Sequence, residues 1–273
     1  MKRLALFAIP LIFAVTPIQA QDASNPGSGN TPIINPAQEQ APSSLSDRDK
    51  EELRAQILMA RKEYAEAVKA YEEILKHEPK NAALLNQLGI AYQELGDTGE
   101  AEHSYKKAVR ADKTYASAIN NLGALEYSKS HYGKAINYYR KAISLRDGDR
   151  AVIYSNLGYA YFGKHEYPLA LTAFDKALTL DPDIFSRKSG AGAIIQQRSS
   201  PDPGMLYFLV AKSYAKAGDA EQTAHFLKVS RDDGYKNFTS AKTDPDFARV
   251  IKDRRVQEVF DIQPAFSTDE KKL

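Results

Sequence analysis

Histidine is the side chain most suited to proton transfer and metal binding near neutral pH, and this chain carries five, at 77, 103, 131, 165 and 225. No two share the i, i+4 spacing that sets a pair of imidazoles on one helical face for zinc, and there is no cysteine to complete a ligand set. Gly190-Ala191-Gly192 has part of the composition of a phosphate-binding loop. No strand pattern precedes it and no Gly-Lys-Ser/Thr follows, so it reads as a hinge. No serine stands in the strand-to-helix turn that activates a nucleophile. Asn237-Phe238-Thr239 matches the glycosylation sequon, a short pattern that reads as idle here. With no acid, base, nucleophile or metal ligand gathered, the chain reads as non-catalytic and without a cofactor.

Charge narrows the partners. Lys and Arg number 37 against 35 Asp and Glu, and the excess of two is matched by Lys2 and Arg3 at the N-terminus. A body without net charge lacks the uncompensated cations that phosphate backbones and anionic membrane surfaces demand, so neither nucleic acid nor a membrane surface is an expected partner. Lys2 and Arg3 precede an apolar run from Leu4 to Val15, and Ala20 is a small residue at a plausible cleavage edge. Residues 1–20 therefore read as a secretory signal peptide, too short and proline-broken for a span, which needs about 20 residues. After its removal no membrane-spanning segment is expected. Export without any cysteine means stability from packing alone, which fits the periplasm of a Gram-negative bacterium best, with secretion as the other possibility.

What must position any functional surface is a repeat. Ala67, Ala101, Ala135 and Ala170 lie 34, 34 and 35 residues apart, and each is followed four residues later by a ring: Tyr71, Tyr105, Tyr139 and Phe174. Three residues further come Ile74, Ala108, Ala142 and Ala177. A fixed period of this size signals stacked copies of one supersecondary unit. Apolar residues recur at three and four, which predicts paired helices near 47–60 and 64–77, 82–95 and 98–111, 116–129 and 132–145, and 151–164 and 167–180. Residues 21–45, with prolines at 26, 32, 36 and 42, read as a flexible leader. The period fails after Asp183. An inserted loop occupies 185–203, with a short extended piece at 193–196, and a degenerate helix pair follows at 204–233. A closing element spans 234–262, in which Asp244-Pro245 starts one further helix striped by Phe247, Val250, Ile251, Val259 and Phe260. Residues 263–273 read as a loose tail.

Leu88-Gly89 with Tyr92, Leu122-Gly123, and Leu157-Gly158 with Tyr161 open their units, and Ala, ring, Ala and a closing proline such as Pro182 follow. This pattern resembles the tetratricopeptide repeat. The resemblance implies an all-α, right-handed solenoid of stacked antiparallel helix pairs. Four clear units (about 48–81, 82–115, 116–150 and 151–184, within an array at 46–183) would be followed by a degenerate fifth and a capping helix. Glycine and alanine are expected where two helices approach closely, with the ring filling the gap to the next pair. The first unit has Arg54-Ala55 in place of Leu-Gly and reads as a terminal cap with a polar outer face.

In that family the concave stripe would use Asn86, Gln87, Ile90 and Gln93, then Asn120, Asn121, Ala124 and Tyr127, then Ser155, Asn156, Tyr159 and Phe162. The implied function is a protein-interaction scaffold, adaptor or chaperone of the cell envelope. Gln87, Asn121 and Asn156 would offer donors and acceptors to an extended peptide, while rings supply apolar area. Alternatively these amides satisfy neighbouring helix ends, and the protein acts in assembly through its convex face or self-association, with the 185–203 insert over the groove. The stripe carries no cation, so a partner ending in an acidic tail is not expected.

Overall fold

The computed structural model describes residues 46–145, 150–186 and 202–261. The described residues form helices α1 (Asp47–Ala60), α2 (Tyr64–His77), α3 (Ala82–Leu95), α4 (Thr98–Ala111), α5 (Ala116–Ser128), α6 (Tyr132–Ser144), α7 (Arg150–Gly163) and α8 (Tyr167–Leu180). Then follow α9 (Pro203–Ala217), α10 (Ala220–Asp232), two 3-10 segments (Lys236–Lys242 and Pro245–Phe247) and α11 (Arg254–Asp261). No strand occurs among them. Each helix packs against the one before and the one after it, α8 against α9 included, so the chain is a solenoid of hairpins. The leader, the signal segment, the extended piece at 193–196, Gly190-Ala191-Gly192 and the tail from 263 lie outside the described residues, as does all of the 185–203 insert except its ends.

Local chemistry sets where the helices start. Ser46, Asn81, Asp97, Asp202 and Asp219 each accept the backbone N–H three residues on, at 2.9–3.2 Å, satisfying a donor that the first turn leaves unpaired. The turn inside each hairpin is the same five times. Glu63, Asp97, His131, Glu166 and Asp219 donate backbone N–H bonds of 2.9–3.1 Å to the carbonyls of Leu58, Tyr92, Glu126, Tyr161 and Tyr214, the six-residue closure of a Schellman motif. That closure requires a left-handed residue just before the donor. Gly96 and Gly218 supply it in two turns, while Lys62, Ser130 and His165 are held at φ of 64°, 60° and 62° in the others.

The core follows the period. Ala67, Ala101, Ala135 and Ala170 have no exposed surface, and neither have Tyr71, Tyr105, Tyr139 and Phe174. The glycine and the ring work as a pair within a single unit rather than only between units. A Cβ on Gly89 would lie 2.5 Å from the Tyr105 ring, and one on Gly123 would lie 2.6 Å from that of Tyr139. Gly158 stands in the same relation to Phe174. The ring thus packs directly against the glycine of its own helix pair, and a methyl there would occupy its space.

The closing element differs from the single helix that its apolar spacing predicts. Pro245–Phe247 is one 3-10 turn, and a separate helix starts only at Arg254. Asp253 explains the restart, since its carboxylate accepts the N–H of Arg255 at 2.9 Å and its carbonyl takes the N–H of Gln257 at 3.0 Å. Phe247, Val250, Val256 and Val259 are still all buried. Arg231, itself buried on α10, donates to the carbonyl of Val259 at 2.8 Å and ties α11 down.

Candidate functional site

The first helices of units two to four, α3, α5 and α7, lie side by side, and their side-chain amides bond to one another. Asn156 donates to Asn120 Oδ1 at 3.0 Å, Asn120 to Asn121 Oδ1 at 3.4 Å, and Asn121 to Asn86 Oδ1 at 2.9 Å. Asn86, Asn120, Asn121 and Asn156 therefore bond to one another across three units. A ladder of this kind fixes the lateral register of the three helices, because each amide has one donor and one acceptor edge to place.

Above the ladder is a hollow of about 290 Å³. It is lined by Asn86, Gln87 and Ile90 of α3, Ser117, Asn120 and Asn121 of α5, Val152 and Ile153 of α7, and Tyr115 just before α5. No ionisable side chain other than that tyrosine lines it, and burial raises the Tyr115 hydroxyl above its usual range, so the hollow is uncharged at neutral pH. Two carbonyl oxygens here, Gln87 Oε1 and Asn156 Oδ1, are buried without a donor among the described residues. A buried acceptor left unpaired costs about 1–3 kcal/mol, so the two oxygens weaken the packing beside the ladder.

The other stripe residues take different roles. Gln93 accepts the Tyr105 hydroxyl at 3.1 Å, and Ser155 donates to the carbonyl of Val152 at 2.8 Å. Tyr127, Tyr159 and Phe162 are buried and do not supply apolar area to this face, a correction to the expectation of flanking rings. Tyr127 packs edge-on against Tyr132, Phe162 lies 5.4 Å from Tyr167, and Tyr159 sits at 5.3 Å from Phe174 with Phe185 beyond. Helix positions set by a family template fix direction, but the burial of a large ring depends on what the next unit places over it. Ser117, Val152 and Ile153 are the residues that the stripe missed. Ser117 and Val152 lie one helical turn before Asn121 and Asn156, so extending the same i, i+4 series by one step reaches both.

In the fifth unit the equivalent positions are Phe208, Leu209 and Lys212, and the closing element covers them. The rings of Tyr235 and Phe247 lie 5.2 and 5.6 Å from that of Phe208, and Lys212 pairs with Asp244 at 2.7 Å and Asp246 at 3.1 Å. Burial pulls the Lys212 ammonium pKa down, but its bonds to the two carboxylates outweigh that and leave it raised. The closing element thus covers this face in the fifth unit.

No helix among the described residues is long and apolar enough to cross a membrane, and no group of three His, Asp or Glu side chains among them is placed to hold a metal. Family models described as tetratricopeptide repeat match residues 51–114, 86–150 and 151–184. Among solved structures, Pseudomonas aeruginosa pilF is 19% identical, with 78% of this chain and 88% of that one covered and a TM-score of 0.50. MamA is 23% identical over 72% of this chain and 99% of its own, with a TM-score of 0.45. YrrB, described as a TPR protein with an unusual peptide-binding site, is 18% identical over 72% and 92%, also with a TM-score of 0.45. At these identities the likeness concerns the fold alone. No curated protein sequence matches the chain significantly.

Proposed function

Residues 51–184 belong to the tetratricopeptide repeat family, and from that premise we propose that the chain is an exported, non-catalytic adaptor that holds an uncharged, extended peptide across α3, α5 and α7. Proteins built of this repeat are interaction scaffolds that bind protein or peptide partners, and the finer reading concerns where and what. The observation that carries it is the uncharged hollow beside the amide ladder, lined by the amide side chains of Asn86, Gln87, Asn120 and Asn121 together with Ile90, Val152 and Ile153. An extended backbone offers N–H donors at alternating positions, and Val152, Ile153 and Ile90 accept apolar side chains between them. No acid is drawn to this face, because it has no cation. Export to the cell envelope rests on the charged start and apolar run of residues 1–20.

Selection from a random peptide display library against the full chain tests the reading. Selected peptides should be rich in apolar and neutral polar residues, and their binding should change less than twofold between low and high salt, since no ion pair is formed. Gln87→Arg combined with Ser117→Arg, both at the hollow and neither in the core, should abolish capture. Peptides dominated by Asp or Glu, or capture indifferent to the double substitution, would refute it.

A further inference from the structure

The outer face of α1 departs from every other first helix of the array. Shifting by the period, Lys50, Arg54 and Ile57 stand where Leu84, Leu88 and Ala91 stand in α3, and all three of those are buried, against α2 of the preceding unit on their outer side. In α1 no described element takes that place. Leu53 and Ile57 remain 44% and 43% exposed beside a shallow depression of about 260 Å³ rimmed by Lys50, Arg54 and Arg61. Arg61 occupies the position that Lys129 holds 68 residues later, and Lys129 pairs with Glu102 of the preceding second helix at 2.7 Å. Two other joints follow the same rule, acid on the earlier helix and donor on the later: Tyr92 donates to Glu72 at 2.6 Å, and Lys216 pairs with Asp175.

We propose that the outer face of α1 docks an acidic amphipathic helix of another protein, laid on Ile57 as the second helix of a preceding unit would be and reaching Leu53 beside it, with its carboxylates against Arg54 and Arg61, Lys50 being already paired with Asp47 at 2.8 Å. Charge selects this occupant over the alternatives. A second copy meeting face to face sets these cations against their own images. Residues 21–45 of the chain itself hold four prolines and only Asp22 and Glu39 as acids, a composition with neither the helical pattern nor the charge of such an occupant.

The test is fluorescence anisotropy with the full chain and a hydrocarbon-stapled peptide of the α2 sequence, residues 64–77, carrying Lys69→Glu and Lys76→Glu; the staple holds a helix too short to form alone. Saturable binding is expected, weakened at least tenfold by Ile57→Asp and by Arg54→Glu with Arg61→Glu. The same peptide with every glutamate changed to lysine should bind the Arg54→Glu, Arg61→Glu variant and not the parent. All three sites are exposed, so the variants fold, which circular dichroism checks. Equal binding of both peptides to the parent, no saturable binding, or concentration-dependent dimerisation abolished by Ile57→Asp would overturn the proposal.

Discussion

Gly123→Ala should destabilise the array although alanine is the better helix former. The added methyl would lie 2.6 Å from Cε1 and 2.9 Å from Cδ1 of Tyr139, where carbon contacts prefer about 3.5–4.0 Å. The ring must retreat by about 1 Å, and it has no exposed surface and is flanked along α6 by Ala135 and Ala142, which are equally buried. Overpacking of this kind costs about 1–3 kcal/mol, and removing a helical glycine returns about 0.5–1 kcal/mol. With mid-range values for both, the net loss is about 1 kcal/mol. Gly133→Ala is the matched control, because Gly133 is also helical but nothing lies within 4 Å of its added Cβ. It should gain about 0.5–1 kcal/mol. Urea unfolding followed by far-ultraviolet circular dichroism reads both, and adding Tyr139→Leu to Gly123→Ala should cost less than the sum of the two single changes. If Gly123→Ala matched or exceeded the parent, or if both alanines moved stability the same way, the claim that the ring seals its own glycine would fail.

Ser130→Gly should stabilise by up to about 1 kcal/mol, because the 60° φ at that turn strains any residue with a Cβ and costs glycine little; thermal unfolding checks it. Asn120→Ala should cost about 1–3 kcal/mol by leaving the buried Asn156 amide without its acceptor, and hydrogen exchange should report faster opening of α7 than of α10. Bonds from Lys106 and then Lys129 hold the Glu102 carboxyl down to about 2, from an ordinary 4.5. A lowered folded pKa means that this stabilisation is complete above pH 4.5 and fades as the pH falls towards 2. Glu102→Gln should therefore be less stable than the parent at pH 6 and converge with it in strong acid, with the gap narrowing in high salt.

The sequence by itself determined the fold of the array. Recurrence of Ala101, Tyr105 and Ala108 in Ala135, Tyr139 and Ala142 is a direct record of packing, since a unit that buries its face only on a copy of itself must repeat the same sizes at the same places. Helix bounds were legible from the same periodicity, since the expected 64–77, 98–111 and 167–180 are the spans observed. What the tertiary structure alone decided is what lies beside each unit. Asn120 and Asn156 are ordinary polar residues in the chain, and only the lateral spacing of α5 and α7 turns them into a bonded pair. Tyr159 and Phe162 read as surface rings until Phe185 and Tyr167 cover them. Asp253 split the closing helix through backbone bonds that hydrophobic periodicity does not encode. The left-handed turns at Lys62, Ser130 and His165 were hidden because closure of the hairpin, rather than the residue's own preference, imposes them.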